Sequence, residues 1–276
     1  KSTRSKVMRH KTPSEDEQKE LTEKNNRSLK DEMEETLKIA EEVQQEMNEL
    51  NRQLIEEKEL RWEDKQKAQS LLDKQHKLQE KVSAIQQQQA QNQLEENRFK
   101  KPNEEILKKQ QMLQTLFEEM MTDEMKEMME ELQKMMNNVD KDQLQKMLNE
   151  LEKNDDNLEK ELDRSLELFK QLELQQKLEN TIEKLNQLSK KQKELAQETE
   201  QKKTDKEALL ETQKLLEEEF EKVQEELKKA DELNEELEEK QELPEMQSLE
   251  KQVQQEMRES LEQIQKNKSK KSAESQ

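Results

Sequence analysis

The sequence contains no glycine, no cysteine and no tyrosine, and it has only three prolines and one tryptophan. A P-loop, a dinucleotide fingerprint and a nucleophile elbow all need glycine where the backbone turns tightly or approaches a ligand, so none of them can form. The lack of cysteine excludes disulfides, thiolate catalysis and zinc-finger spacing. We therefore expect the chain not to be an enzyme and to bind no cofactor.

The chain is also poor in features that bind nucleic acid, metal or lipid. Aromatic residues make up 2% of it and its formal net charge is -19, whereas nucleic acids require stacking platforms or a basic face. The two histidines, His10 and His76, lie on separate segments, which argues against a metal site. The longest apolar run, residues 208–210, falls far short of the roughly 20 residues that cross a bilayer. We expect no nucleic-acid partner, no small-molecule substrate, no metal and no membrane span within the sequence.

What the chain does contain is charge, at 43% of residues, and a heptad pattern that argues against disorder. The a positions are Met33, Ala40, Met47, Leu54, Arg61, Ala68, Gln75 and Val82, and the d positions are Leu29, Thr36, Val43, Leu50, Glu57, Asp64, Leu71, Leu78 and Ile85. The polar members cluster between Glu57 and Asp64, which we interpret as a local change of packing within one helix. The pattern predicts a single helix from Leu29 to about Asn97, roughly 100 Å long.

Helix start and stop signals divide the rest of the chain. They are Pro102 with Asn103, Asp140 with Gln143, Asp156 with Glu159, Thr204 with Glu207, and Pro244; the helix from Glu104 is expected to run to about Met136 and the one after Thr204 to about Gln241. We predict a basic, poorly ordered N-terminal linker (1–28), a long coiled-coil helix (29–99), a Met-rich helical hairpin (103–153), long coiled-coil helices (156–243), and a short helix with a basic tail (245–276). The predicted fold is all-α: an elongated coiled coil with long helical hairpins and no β-sheet.

The strongest seam positions lie in the first and last long helices. They are Leu50, Leu54, Leu71, Leu78, Val82, Ile85, Leu216, Phe220, Val223 and Leu227. Short connectors favour hairpins, but the pattern alone leaves open whether the helices pair within the chain or with another chain. The basic ends are solubilising linkers in one interpretation, and contacts to anionic lipid or an acidic neighbour in the other. Because the sequence starts at Lys1 without a leader, we expect it to be an internal piece of a longer protein.

Nine of the 14 methionines fall between Met112 and Met147. Seven of these nine contribute to a wide apolar face, which consists of Leu113, Phe117, Met120, Met121, Met125, Met128, Met129, Leu132, Met135 and Met136. In one interpretation this helix is the core of a local bundle, where unbranched methionine fills irregular gaps. In the other it is a pliable groove that binds apolar segments of client proteins.

Three stretches carry a family resemblance: RWEDKQKAQSLLDKQHKL from Arg61, ILKKQQMLQTLFEEMMTDEMKEMMEEL from Ile106, and NLEKELDRSLELFKQLELQQKLE from Asn157. They resemble the helical region of a large envelope protein family of Bacteroidetes-type bacteria, a family of unknown function often labelled ATPase. The resemblance covers roughly residues 30–240. It implies a location on the periplasmic side of the inner membrane, with membrane attachment only through regions outside this segment. The ATPase label gains no support from a glycine-free sequence.

Three functions remain as hypotheses. The first is a non-enzymatic scaffold that joins protein subunits of an envelope complex, or copies of itself, in protein export or outer-membrane assembly; polar substitutions at Leu71, Leu78 and Ile85 should then abolish assembly. The second is a holdase-like chaperone centred on the Met-rich helix, which burial of that face within the chain would argue against. The third is the coiled-coil arm of a cytoplasmic SMC-like ATPase, which would require nucleotide-binding heads beyond residues 1 and 276.

Overall fold

The computed structural model describes residues 15–57, 59–99, 101–120, 123–135, 139–201 and 205–266. Within these ranges every regular element is an α-helix, which confirms the all-α prediction. The helices are α1 (Glu15–Glu56), α2 (Trp62–Phe99), α3 (Glu104–Met120), α4 (Asp123–Met135), α5 (Lys141–Gln201), α6 (Lys206–Glu235) and α7 (Gln247–Gln265). The chain forms two compact units, unit 1 (Lys1–Phe169) and unit 2 (Lys170–Gln276), with the boundary inside α5.

The prediction of one continuous helix from Leu29 to about Asn97 is wrong, because α1 ends at Glu56 and α2 begins at Trp62. The interruption falls where the heptad seam is polar. The backbone N–H of Arg61 donates to the Asp64 carboxylate at 2.9 Å, and the Arg61 guanidinium pairs with Glu57. Asp64 is fully buried and satisfies an N–H at the start of α2 that has no partner within the helix. The polar seam residues therefore build a turn.

Helices α1 and α2 pack side by side as an antiparallel hairpin. Lys74 of α2 contacts Glu46 of α1 at 2.6 Å, and Lys81 contacts Glu35 at 3.1 Å, so residue numbers rise along one helix as they fall along the other. Exposed ion pairs of this kind contribute only about 0–1 kcal/mol each. Full burial of one leucine contributes about 1.5–3 kcal/mol, so the apolar seam provides most of the stability of the hairpin.

Unit 1 is completed by α3, α4 and the first part of α5, and its core consists of two apolar clusters. One cluster contains Val43, Met47, Leu50, Leu54, Ala68, Leu71, Leu72, Met129, Leu132, Val139, Leu144, Met147, Leu148 and Leu151. The other contains Leu29, Met33, Ala40, Leu78, Val82, Ile85, Leu113, Phe117, Met120, Leu158, Leu162, Leu166 and Phe169. Each cluster draws on α1, α2, α5 and either α3 or α4. The unit is therefore a helical bundle whose stripes are buried against one another.

Two of the expected helix starts in unit 1 are confirmed by their caps. The Asn103 side chain accepts a hydrogen bond from the Ile106 N–H at 2.8 Å at the start of α3. Before α5, the Gln143 N–H donates to Asp140 Oδ1 at 2.8 Å and the Asp140 N–H donates to Gln143 Oε1 at 3.3 Å, which is a reciprocal capping box. The helix expected to run from Glu104 to about Met136 is described as α3 and α4, with residues 121–122 outside the described part.

Two other expectations for unit 1 are wrong. The predicted restart at Asp156 does not occur, because α5 runs without interruption from Lys141 to Gln201. Leu151 and Leu158 continue the buried stripe on both sides of Asp156, so ending the helix there would break the stripe. The predicted poorly ordered linker 1–28 is helical from Glu15 onward, and in this part Asn26 is buried and its amide donates to Glu96 of α2 at 3.5 Å. Residues 1–14 lie outside the described part.

Unit 2 contains the last part of α5 together with α6 and α7. Its main apolar cluster contains Leu188, Leu195, Leu209, Leu216, Phe220, Met257 and Ile264, and a smaller one contains Leu174, Ala230 and Leu237. A neutral polar layer crosses the unit, where Gln192 Nε2 and Ser260 Oγ both donate to Gln213 Oε1, at 2.9 and 3.2 Å. All three helices therefore contribute to one core.

The bounds of α6 differ from the prediction at both ends. The helix begins at Lys206 with Asp205 as its N-cap, and the predicted cap Thr204 lies outside the described residues. It ends at Glu235, not near Gln241. The Asn234 side-chain amide explains this end, because it donates to the Gln241 carbonyl at 2.9 Å and accepts from the Gln241 N–H at 2.8 Å. These two bonds hold the chain in a loop before α7.

Candidate functional site

The structure places most of the described Met-rich face in the core of unit 1. Leu113, Phe117, Met120, Met129 and Leu132 are buried, Met128 is half-buried, and Met135 is 37% exposed. Met121 and Met136 lie outside the described residues, as does the side chain of Met125. The buried members are divided between the two apolar clusters of the unit.

The packing of this face favours the bundle-core interpretation over the client groove. Phe117 belongs to the cluster that also contains Met33 of α1 and Val82 of α2. Met129 lies in the other cluster, and its thioether sulfur accepts a hydrogen bond from Gln79 Nε2 at 2.8 Å. A wide stripe needs more than one neighbour, and here α1, α2 and α5 supply them. The five buried residues are not available to a client in this conformation.

The ten candidate seam residues also pack within the chain. In unit 1, Leu50, Leu54, Leu71, Leu78, Val82 and Ile85 are buried, and in unit 2 Leu216, Phe220 and Val223 are buried and Leu227 is half-buried. Eight of them, all except Val223 and Leu227, belong to apolar clusters that they share with other helices of the same unit. Polar substitutions at Leu71, Leu78 and Ile85 would therefore disrupt unit 1 itself. Loss of assembly in such variants would not distinguish a scaffold from a misfolded chain.

The turn between α1 and α2 presents apolar side chains that the bundle does not cover. Trp62 is 71% exposed and Ile55 is 65% exposed, whereas Leu60 between them packs partly against the core. Single exposed apolar residues occur elsewhere on the chain and need no explanation. Ile55 in the last turn of α1 and Trp62 at the start of α2 are different, because both are exposed at the ends of the α1–α2 connection and tryptophan is among the residues most enriched at protein interfaces. Trp62 lies between Glu57 and Asp64, where the heptad positions are polar, and nothing in the sequence indicates that its side chain is exposed.

The described residues of this turn carry several carboxylates, and one cation from α5 contacts it, because Lys141 Nζ donates to the Glu57 carbonyl at 2.5 Å. Glu56, Glu59 and Glu63 have exposed side chains. Arg61 is engaged with Glu57 and lies 3.5 Å from the Asp64 carboxylate, so it neutralises acids of the turn itself. The apolar side chains are thus accompanied by three exposed carboxylates.

A second feature that was not predicted from the sequence is a buried polar pair between α2 and α5. Gln75 Nε2 donates to Asp155 Oδ1 at 2.8 Å, and the two residues are 2% and 1% exposed. Burial raises the pKa of the Asp155 carboxyl from 3.8 to about 6; the Gln75 hydrogen bond opposes this, and the negative charges of Glu159 and Asp156 reinforce it. The signal for this pair was present, since Gln75 is a polar residue at a seam position.

No family model, no curated protein sequence and no solved structure matches the chain. Over the described residues, no three or more His, Asp or Glu side chains are grouped so that they could hold a metal ion. In the same residues no helix has the length and apolar content needed to cross a bilayer. A cavity of about 10 Å³, lined by residues of α1 and α2 including Asn25, Asn26 and Asn92, has room for about one water molecule.

Proposed function

We propose that this chain is a non-enzymatic helical scaffold that binds other proteins, and that the turn between α1 and α2 is one of its contact points. The observation that carries the proposal is the exposure of Trp62. The described seams are buried within the two units, so the apolar surface left for a partner lies elsewhere. Trp62 and Ile55 provide such a surface on a turn supported by the α1–α2 hairpin.

The partner in this proposal is a protein with an apolar pocket and a basic rim. The pocket receives the indole of Trp62 and the side chain of Ile55. The basic rim is inferred from Glu56, Glu59 and Glu63, which are exposed beside them. Opposite charges at the edge of an interface steer association and select the partner, while the buried aromatic group provides most of the affinity. A second copy of this turn would bring like charges together.

The resemblance to a bacterial envelope family supports a further proposal about location and context. In that proposal the scaffold works on the periplasmic side of the inner membrane, in a complex concerned with protein export or outer-membrane assembly. The chaperone alternative is less well supported, because its central residues, including Phe117 and Met120, are buried in unit 1.

The partner can be sought with a photo-crosslinking amino acid at position 59, in the full chain and in its native cells. The matched control carries the same amino acid at position 112, since Met112 is 59% exposed on α3. The protein captured only from position 59 is then purified and its affinity for the chain is measured. Trp62→Ala should weaken binding about 30-fold or more, as expected for a tryptophan hot spot. Its helical content should stay unchanged, because Trp62 lies outside the core.

The charges of the partner are tested with Glu59→Lys/Glu63→Lys. This double variant should weaken binding further, and wild-type affinity should fall as salt is added. Unchanged affinity of Trp62→Ala would contradict the proposal. So would stronger binding by the charge-reversed variant, or self-association of the purified chain that Trp62→Ala abolishes.

A further inference from the structure

The buried pair between α2 and α5 has two hydrogen-bonding atoms that are not used. Gln75 Nε2 already donates to Asp155 Oδ1, but Gln75 Oε1 and Asp155 Oδ2 are both buried and have no hydrogen-bond partner in the protein. When Asp155 is ionised, both atoms are acceptors, so they cannot bond to each other. One proton is missing from an otherwise complementary pair of planar groups.

We propose that Asp155 and Gln75 form a proton-operated latch between α2 and α5. A proton from the solvent binds Asp155 Oδ2, and the new O–H donates to Gln75 Oε1. The acid and the amide then share two hydrogen bonds in a ring, where the ionised pair has one. Release of the proton reverses the step, and no other bond is made or broken.

The charges nearest the pair favour the protonated state. On α5, Asp156 and Glu159 lie close to Asp155 and are both acids. On α1, the amide of Gln44 donates to Asp156, and Glu41 adds negative charge near Glu159. Protonation of Asp155 therefore relieves repulsion as well as adding a hydrogen bond.

The cations of α2 and α4 near this layer do not neutralise Asp155. Lys74 pairs with Glu46 of α1 at 2.6 Å. His76 is 70% exposed and lies 3.6 Å from Glu80. On α4, the Met129 sulfur accepts a hydrogen bond from Gln79, and Lys134 is exposed and paired with Glu130. The carboxylate is left with one neutral donor, which fits its pKa of about 6.

The latch lies between the two apolar clusters of unit 1. On α5, Leu151 belongs to one cluster and Leu158 to the other, with Asp155 between them. On α2, Leu71 and Leu78 flank Gln75 in the same way. An ionised carboxylate with an unused oxygen is costly in such surroundings, so loss of the proton weakens the contact between α2 and α5 at the middle of the unit.

The sign of the pH dependence follows from the two states of the chain. The folded chain holds the Asp155 proton up to about pH 6, and the unfolded chain only up to about 3.8. Stability of unit 1 therefore rises as the pH falls through 6 and the gain is complete below 3.8. Between pH 7.5 and pH 5 the unfolding equilibrium constant should fall about tenfold.

The experiment compares urea unfolding of the full chain at pH 7.5 and pH 5, with hydrogen exchange of α2 amides reporting on unit 1. Asp155→Asn keeps both hydrogen bonds without a charge, because its amide can accept at Oδ1 and donate from Nδ2. This variant should be at least as stable as wild type at pH 7.5 and should lose the tenfold change. Glu150→Gln makes the corresponding substitution of an exposed acid of α5 and should keep it.

A direct titration of the Asp155 carboxyl by carbon-13 NMR gives a second measurement that needs no variant. A midpoint near pH 6 supports the latch, and a midpoint near the ordinary value of 3.8 overturns it. The latch is also overturned if Asp155→Asn keeps the full pH dependence of wild type. The same conclusion holds if that variant is less stable than wild type at both pH values.

Discussion

Units 1 and 2 both bury a charged side chain of α5, and they differ in what lies opposite the charge. In unit 1 the partner of Asp155 is the neutral amide of Gln75, and the nearest charges are negative. In unit 2 Lys177 is only 8% exposed, and it pairs with Glu226 of α6. Two parts of one helix thus handle burial of charge in different ways, one by an uncompensated acid and the other by an ion pair.

The difference gives the two units opposite responses to acid. Burial alone would raise the pKa of Glu226, but the hydrogen bond and charge of Lys177, with Lys184 and Lys229, lower it below its ordinary 4.5. Glu226 therefore contributes stability that is present above pH 4.5 and is lost as the pH falls through its lowered pKa. Protonation of Asp155 stabilises unit 1 as the pH falls through about 6, which is above the pH range in which Glu226 titrates. Acid should first strengthen unit 1 and then weaken unit 2.

If the apolar cores of the two units are packed alike, truncation of a buried phenylalanine should destabilise both units by a similar amount. This is the largest change in stability that we expect. Phe117 in unit 1 and Phe220 in unit 2 are 0% and 4% exposed. Phe117→Ala and Phe220→Ala should each lower the free energy of unfolding by about 3–5 kcal/mol, because each leaves a cavity. Urea unfolding, monitored by hydrogen exchange of the amides of α2 and α6, measures the loss of stability in each unit.

The control for this pair is Met112→Ala, at a 59% exposed position of α3, which should stay within about 0.5 kcal/mol of wild type. A much smaller loss for Phe220→Ala than for Phe117→Ala would break the comparison. The units would then differ in packing as well as in the treatment of charge.

A smaller effect is expected from removing the cation in unit 2. Lys177→Met keeps much of the aliphatic stem but leaves Glu226 without its closest partner, and should cost about 1–3 kcal/mol at neutral pH. The loss should shrink below pH 4.5, since a protonated Glu226 no longer needs the cation. Lys228→Met, at a 79% exposed side chain of the same unit, should change stability by less than about 0.5 kcal/mol. An equal loss at pH 7 and pH 3.5 would show that packing of the lysine stem, not charge, is responsible.

The smallest change in stability is expected from removing the acid at the start of a helix in each unit. Asp140 caps α5 with a side-chain hydrogen bond to Gln143, whereas Asp205 at the start of α6 makes no side-chain cap bond. Asp140→Ala should cost about 1 kcal/mol and Asp205→Ala only a few tenths, as measured by urea unfolding. Equal losses would mean that both acids act through the helix dipole alone.

Much of this fold could be predicted from the sequence because apolar residues repeated every seven positions identify the face that each helix buries. The all-α class follows from it, as do the caps at Asn103 and Asp140, where the side chain that ends the preceding segment is of a typical capping type. The pairing of the stripes could not be predicted. Apolar residues such as Leu78 and Phe117 pack equally well against a helix of the same chain or of another one.

The turn between α1 and α2 was missed because the sequence there contains neither glycine nor proline. Its helix start is unusual, since the capping position is Arg61 and the acid three residues on reaches back to the Arg61 N–H. The available signal was the run of polar residues at seam positions. At Asp156 a helix start was predicted where none exists, because an acid followed three residues later by Glu159 resembles a capping box. There the acid instead bonds to Gln44 across the bundle, a contact that sequence spacing does not reveal.

The candidate site was less predictable than the fold. Side-chain type alone did not distinguish an exposed tryptophan from a buried one at position 62. Methionines at helical spacing favoured a core but left a groove open, and the positions of α1 and α2 support the core. The Asp155–Gln75 pair required knowledge of which face of α5 meets α2.

Heptad repeats are nearly interchangeable, so a helix can shift along its neighbour by seven residues and still bury leucine against leucine. The buried amide–acid pair removes that degeneracy. A one-heptad displacement would set Asp155 against Ala68 or Val82, and Gln75 against Leu148 or Leu162, all of which are buried apolar residues. Both polar groups would then lose their only match, at a cost of about 1–3 kcal/mol each. The pair that makes unit 1 sensitive to protons thus also fixes the alignment of α5 on α2.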